Sequence, residues 1–478
     1  MNFRKITNRH IDHREKVNGM SKDLFPEFEG VTAKQWKQKI QYDLKGRDYN
    51  DLVWSAPEGI AVNPFYHPDQ VRDTYNIPGP EGWTIIEKIY AGEAQPANKK
   101  ALKALDRGAE GLWLILPSDQ IDLEVLFRDI NLQEVPIYLE PQFLSADFAR
   151  RLQSLVKGSS AISLITDVIG NLARTGNWYK DNANDHRELE DMASHSPDFQ
   201  ALISIDTRLY QNAGADIVQQ LAYAMAHLNE YLHFLEQKNL QRKARKFLFM
   251  TSTGGNYFFE IAKIRTLRIL FATLAREYGI SERCHILAQP SRRNKTLYDF
   301  NVNLLRTTTE CMSAITGGAD SICNMAYDEI YHKDNDFGRR IARNQLLILK
   351  HEAYFGKVAD PAAGSFYLER LTGQFAEKAL ELFKQIEAGG GFLHMLKEGT
   401  VQRKIKEQAD LEQEMFDQGR LTLIGTNKYL NPEDRMQGEL ELFPFVKRKS
   451  RKTFLPPVVE KRISEDLEQR RLQEEKEQ

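Results

Sequence analysis

The sequence predicts an α/β protein: a (β/α)8 TIM barrel with an N-terminal docking extension and a C-terminal helical and linker tail. Three observations carry this prediction. Eight short apolar runs recur between residues 83 and 326. Helix-period patterns lie between them, so strands and helices alternate. Several runs are apolar without alternation, as strands buried on both faces are. Strands that alternate with helices pair in parallel through crossovers, and eight such units point to a closed barrel.

The elements follow in chain order. "VTAKQWKQKIQYDLKG" (31–46) reads as an amphipathic helix. Thr32 and Gln35 have capping-box spacing, and Gly46 stands where a C-terminal cap would. Trp36, Ile40 and Leu44 share one stripe. A helix this short is unstable alone, so it docks either on its own barrel or on a partner chain. The eight strand candidates are "WTIIEKIYA" (83–91), "LWLILP" (112–117), "VPIYLE" (135–140), "AISLIT" (161–166), "ALISID" (201–206), "KFLFMT" (246–251), "CHILAQ" (284–289) and "DSICNMA" (320–326). A helix-rich segment follows over 337–422, punctuated by the glycines at 389–391. The expected domains are an N-terminal arm and docking helix (1–47), the barrel with its helical C-terminal portion (48–435) and a charged tail (436–478). The tail reads as an extended linker plus a solvated helix, and its basic run, Lys447 to Lys452, as a solvated stretch.

Composition excludes several classes. The chain has 478 residues, 41% hydrophobic and 28% charged, with a net charge of −2. Nothing global points to nucleic acid or to an acidic membrane surface. Three cysteines without a C-x-x-C pair argue against a disulfide framework and a structural zinc site. Reduced thiols fit a cytoplasmic protein. No apolar run approaches the roughly 20 residues of a membrane helix. The N-terminus lacks the apolar core of a secretory signal. Residues 1–19, which precede Met20, read either as a disordered lead or as sequence upstream of the true start.

In a parallel barrel the functional face lies at the C-terminal strand ends. That selects Tyr90 and Glu93, Ser118 and Asp119, Glu140, Asp167, Asp206 to Gln211, Ser252 to Asn256, Gln289 to Arg293, and Asp328. A solvated loop carboxylate is the favoured reading of any one acid. The glycine pairs in "STGGN" (252–256) and "TGGAD" (316–320) match no phosphate-loop fingerprint, and tight turns explain them better. The eleven histidines are scattered, without H-E-x-x-H. His186 and His195 fall in a polar insert read as a solvated loop. His227 and His233 fall on a helix, facing solvent or a helix neighbour. His285 begins a strand, nearer the bottom of a barrel than its mouth. Residue chemistry alone thus gives a large barrel without a recognisable catalytic constellation.

Longer motifs add a resemblance. "WSAPEGIAVNPFY" (54–66), "QNAGADIVQQLAYAMA" (211–226), "IAKIRTLRILFATLAREYG" (261–279), "LLRTTTECMSAITGGADSI" (304–322), "VADPAAGSFYLERLT" (358–372) and "LIGTNKYLNP" (423–432) resemble the barrel domain of methylmalonyl-CoA mutase. The segments follow the family's order from about residue 30 to about 435. The opening "LFPEFEGVTAKQWKQKIQYDLKG" resembles in particular the small subunit of the two-subunit bacterial enzymes. The resemblance implies a complex that interconverts methylmalonyl-CoA and succinyl-CoA, with radicals supplied by adenosylcobalamin.

The departures from the family pattern shape the expectation for this chain. No histidine has an aspartate two residues before it, so the cobalt-ligating D-x-H-x-x-G is absent. The charged tail resembles the linker that precedes the family's cobalamin domain, which implies no cobalamin-binding Rossmann-like domain here. Catalytic chains carry S-G-Y-H-M-Q-E-A-G where this chain has "DTRLYQNAG" (206–214). The shared Q-x-A-G, which includes Gln211, sets Arg208 on the family's tyrosine and Leu209 on its histidine. Leucine cannot hydrogen-bond a thioester carbonyl. The family's substrate-clamping arginine falls on His285, a poor bidentate clamp. Tyr90 keeps a family active-site residue type. The expected set of degenerate mouth positions is therefore Tyr90, Arg208, Leu209, Gln211, His285 and Gln289, with no catalytic, cofactor-binding or metal-binding residue. The implied role is a small, silent subunit of a heterodimer whose large catalytic chain carries adenosylcobalamin. The alternative is the substrate-binding half of a split mutase whose cobalamin domain is a separate protein.

Overall fold

A computed structural model describes residues 29–70, 75, 77, 79–156, 161–195, 198–240, 246–447 and 451–477. Residues 1–19 lie outside them. The chain forms two compact units, one of Met1–Asn76 with Ala363–Leu371, the other of Ile77–Ala362 with Thr372–Gln478.

In the smaller unit, α1 (Ala33–Asp43) starts on the expected capping box: the Thr32 hydroxyl accepts from the Gln35 N–H, and Gln35 Oε1 accepts from the Thr32 N–H. The helix is capped by Leu44, and Gly46 follows at φ +94°. None of its residues is buried. Trp36 touches Phe65 edge-on at 6.1 Å and stays 48% exposed. A two-residue hairpin pairs Trp54–Ser55 with Ala61–Val62. Its turn needs Gly59, at φ +68°.

The larger unit is a (β/α)8 barrel. Its strands are β1 (Thr84–Tyr90), β2 (Gly111–Leu116), β3 (Ile137–Pro141), β4 (Ile162–Leu164), β5 (Ile203–Asp206), β6 (Phe247–Thr253), β7 (His285–Pro290) and β8 (Ser321–Ile322). All eight coincide with the apolar runs. They pair in parallel in the order β4-β3-β2-β1-β8-β7-β6-β5. A parallel bridge between Ser163 and Ala201 joins the β4 and β5 edges and closes the circle. Outside lie α2 (Ala94–Asp106), α3 (Leu123–Leu126), α4 (Ala146–Leu155), α5 (Val168–Thr175), α6 (Asn182–His195), α7 (Arg208–Asn212), α8 (Ile217–Gln237), α9 (Tyr257–Glu277), α10 (Val302–Thr316) and α11 (Asp336–Leu347). The chain continues through α12 (Phe366–Ala388), α13 (Phe392–Lys397), α14 (Thr400–Asp417) and α15 (Glu465–Glu477).

The barrel axis is packed. Ile86, Trp113, Tyr138, Ile165, Leu248, Met250, Leu287 and Cys323 form one buried cluster drawn from seven strands or strand ends. Large side chains from alternate strand positions fill such an interior and leave no pore.

Two sequence expectations change. The polar insert read as a solvated loop is α6, a helix that buries Asp185, Leu189, Met192 and Ala193. Its apolar residues keep helical spacing, but dense polar neighbours mask the period. Asp185 accepts the N–H groups of Tyr179 and Lys180 at 2.8 and 3.0 Å.

The tail is the second correction, because it is docked instead of solvated. The Phe454 and Leu455 N–H groups donate to the Gly176 carbonyl, Val458 to Ala173, Lys461 to Asn212 and Ile463 to Arg293. The segment therefore crosses α5, α7 and the loop that follows β7. Gly176, at φ +76°, permits this approach: a Cβ there would lie 2.4 Å from the Leu455 carbonyl oxygen. In α15 the acids turn inward. Glu468 accepts the Leu297 N–H at 2.9 Å and Arg462 Nη1 at 2.7 Å. Glu475 accepts the Tyr298 hydroxyl at 2.6 Å and the Met436 N–H at 3.0 Å. A charge-rich sequence looks solvated until its carboxylates are found serving buried donors.

Glu468→Ala would strand Arg462, which is 5% exposed, and free a buried N–H. The expected cost is roughly 3–5 kcal/mol of unfolding free energy. Urea denaturation of the full chain measures it, and a loss below about 1 kcal/mol would contradict the buried pair.

Candidate functional site

The mouth of the barrel is built around Asp206, the last residue of β5. Its carboxylate accepts Arg174 Nη2 at 2.6 Å, Arg208 Nε and Nη2 at 2.7 Å each, and the Arg208 N–H at 3.1 Å. Burial pushes its pKa up, but the Arg208 and Arg174 guanidinium groups win and hold it at about 2. Arg208 also donates to Glu140 Oε1 at 3.3 Å and Gln289 Oε1 at 3.4 Å. Its guanidinium lies 4.7 Å from the ring centroid of Trp113, the indole at the top of the packed axis. Trp113 donates in turn to Glu140 at 2.8 Å. Burial works against the Arg208 charge, yet Asp206 and Glu140 hold it fully cationic. Arg174 also faces Glu460 of the tail at 3.7 Å, and Glu460 accepts from Asn212 at 3.2 Å. The charges at the mouth are thus spent on one another.

The sequence-selected residues distribute as follows. Tyr90 ends β1 at the mouth and is 55% exposed. Arg208 and Gln289 meet in the cluster above. Leu209 is fully buried within α7. Gln211 is buried too, accepting Lys263 Nζ at 2.9 Å and donating to Glu260 at 3.3 Å. His285 is not at the mouth. It opens β7 at the opposite end, where its Nε2 lies 2.6 Å from the Tyr138 hydroxyl, which also meets Ser321 Oγ at 2.7 Å. A strand's first residue lies at the N-terminal face, so the position carries no clamp. Glu140 joins the mouth cluster, whereas Glu93 and Ser118 are exposed.

The glycine pairs resolve as turns. The Gly254 N–H donates to Glu260 Oε1 at 2.9 Å, so the loop's own helix supplies the acceptor. Gly318 follows α10 at φ +88°, before β8 and away from the mouth.

His227 takes the second of its two expected positions, against helix neighbours. It is fully buried on α8, not facing solvent. Its Nε2 meets Asp167 Oδ1 at 2.9 Å and its Nδ1 meets the Tyr210 hydroxyl at 2.9 Å. The signal was the helix itself, apolar on nearly every side around "YAMAHL". Asp167 also accepts from Tyr231 at 2.7 Å, Gly170 N–H at 2.7 Å and Asp206 N–H at 2.9 Å. Burial pushes the Asp167 pKa up, but the imidazole and these donors outweigh it and leave it below the usual range.

The cysteines are free and buried, and burial pushes the Cys284 thiol up to about 12. Among the described residues no three His, Cys, Asp or Glu side chains cluster as a metal site requires. No described helix is long and apolar enough to cross a membrane.

Asp206 generates a pH prediction. Its carboxyl falls from 3.8 unfolded to about 2 folded, so its stabilisation is present above 3.8 and lost as pH drops toward 2. The term is on the order of 2 kcal/mol. The stability gap between the native chain and Asp206→Asn should narrow through that window in urea titrations. A gap independent of pH would count against the buried pairing.

A family model described as methylmalonyl-CoA mutase matches residues 118–474. The methylmalonyl-CoA mutase small subunit of Porphyromonas gingivalis is 33% identical over 444 residues, covering 85% of this chain and 71% of that protein. The small subunit of Streptomyces virginiae is 29% identical over 419 residues, 80% of this chain and 68% of that protein. The large subunit from the same Streptomyces is 27% identical over 474 residues, 84% of this chain and 64% of that protein. The chain belongs to the methylmalonyl-CoA mutase family.

Proposed function

We propose that this chain is the catalytically silent small subunit of an adenosylcobalamin-dependent methylmalonyl-CoA mutase, stabilising a large catalytic subunit in a heterodimer. One observation carries the reading. Arg208 lies over Trp113, tied to Asp206, Glu140 and Gln289, while Leu209 is buried beside it. An active mouth needs donors aimed at a developing charge. Here the guanidinium already has its anions, and leucine has no proton to give or take.

The packed axis supports the same reading, since the bulky side chains from Ile86 to Cys323 occupy it. The residues at the mouth do not fit adenosylcobalamin either. They are paired charges, and Glu460 of the tail reaches them. This favours coenzyme and chemistry residing on the partner. The exposed aromatic side chains of the smaller unit, Trp36 at 48%, Tyr42 at 79% and Trp54 at 50%, favour a docking role for the N-terminal region.

The test is purification of the chain alone and together with a large mutase chain. Alone, it should bind no adenosylcobalamin in equilibrium dialysis and should not interconvert methylmalonyl-CoA and succinyl-CoA. Together, native mass should give a one-to-one complex, and the large chain should lose solubility or thermal stability without its partner. Stoichiometric coenzyme uptake by the isolated chain would sink the proposal. Turnover restored by a small separate cobalamin protein would favour the split-mutase alternative.

A further inference from the structure

We propose that the groove between α2 and α11, on the outside of the barrel, binds a compact anion that carries two adjacent phosphate groups. The site is separate from the Arg208 cluster and does not depend on the subunit assignment.

The groove follows from strand order. β8 and β1 are neighbours in the sheet, so α2, which follows β1, and α11, which follows β8, lie side by side. Each helix turns a basic stripe toward the other. On α2 and its end the stripe is Lys100, Lys103 and Arg107, spaced i, i+3 and i+7. On α11 it is Arg339, Arg340 and Arg343. A cavity of about 270 Å³ lies between the stripes. Ala104, also on α2, lines it with only a methyl group.

Cations in this groove outnumber acids. The six stripe residues meet three carboxylates, those of Glu87, Asp334 and Asp336. A surplus of three positive charges thus gathers in a chain whose net charge is −2. Glu87 takes Arg343 and Arg339. Asp334 is shared by Lys100 at 3.0 Å and Arg339 at 2.7 Å. Asp336 is shared by Lys103 at 2.7 Å and Arg339. Arg107 and Arg340 make no ion pair among the described residues. Arg340 instead lies 5.4 Å from the ring centroid of Phe337, which also lines the cavity. The two lysine pairs are open to water, with the Lys100 and Lys103 side chains 43% and 46% exposed. Exposed pairs of this kind hold weakly and exchange partners readily.

A concave surface with unbalanced charge of one sign concentrates the opposite ion. Guanidinium groups match phosphate oxygens with paired donors. A single phosphate carries about −2 and leaves part of the surplus uncompensated. Two linked phosphates meet it, and they offer oxygens to both stripes at once.

The test uses the full chain and inorganic pyrophosphate without divalent metal, with inorganic phosphate for comparison. Isothermal titration calorimetry should give saturable, one-to-one pyrophosphate binding that weakens as salt rises. Inorganic phosphate should bind several-fold more weakly. Arg107→Gln and Arg340→Gln replace exposed side chains, so both should keep the fold. Each should weaken pyrophosphate by about tenfold, which corresponds to roughly 1.4 kcal/mol. Arg420→Gln makes the same change of net charge at an exposed position outside the groove and should leave the affinity unchanged. Absence of saturable binding to the native chain overturns the proposal. So does equal affinity for the two anions, unchanged affinity in both groove variants, or an equal loss in Arg420→Gln.

Discussion

The buried carboxylate of Asp167 ties the barrel together across the joint between β4 and β5. The β4–β5 joint is a bridge at Ser163 and Ala201, with one further backbone bond from the Ser204 N–H to the Thr166 carbonyl. Asp167 spans that joint. It caps α5 through Gly170, accepts the Asp206 N–H from β5, and takes donors from His227 and Tyr231 of α8. A carboxylate this buried is tolerable only because each oxygen is served by donors. The same interaction sets the Asp206 backbone, and Asp206 in turn sets Arg208. The geometry of the mouth therefore descends from one buried acid.

The mouth illustrates how a barrel can hold several buried charges by pairing them with one another. Arg208, Arg174, Asp206, Glu140 and Glu460 form a closed electrostatic set. Burial alone would penalise each charge, and their mutual proximity offsets the penalty. Below them the indole of Trp113 seals the axis. The tail contributes to the same closure through backbone hydrogen bonds along its length.

The strands were legible because strand burial leaves a direct mark: all eight apolar runs became strands, and the first helix kept its Thr32–Gln35 cap. What escaped shared one cause. α6 and the tail are polar segments whose burial depends on partners in other elements. Glu468 lies 171 residues from Leu297. No local pattern distinguishes a carboxylate in water from one accepting a buried N–H. His285 was drawn to the mouth by alignment with the family, whereas its place at the start of a strand kept it at the other end.

The sequence by itself determined the architecture, since alternating apolar runs and helical periods admit few parallel arrangements. It also determined that position 209 carries no proton, because residue identity decides that for leucine. Only the tertiary structure decided how Arg208 is used and how the tail is docked. These depend on distances between elements brought together by closure of the barrel. Charge compensation falls off with distance and dielectric, so it is a property of the assembled shape and not of the residue list.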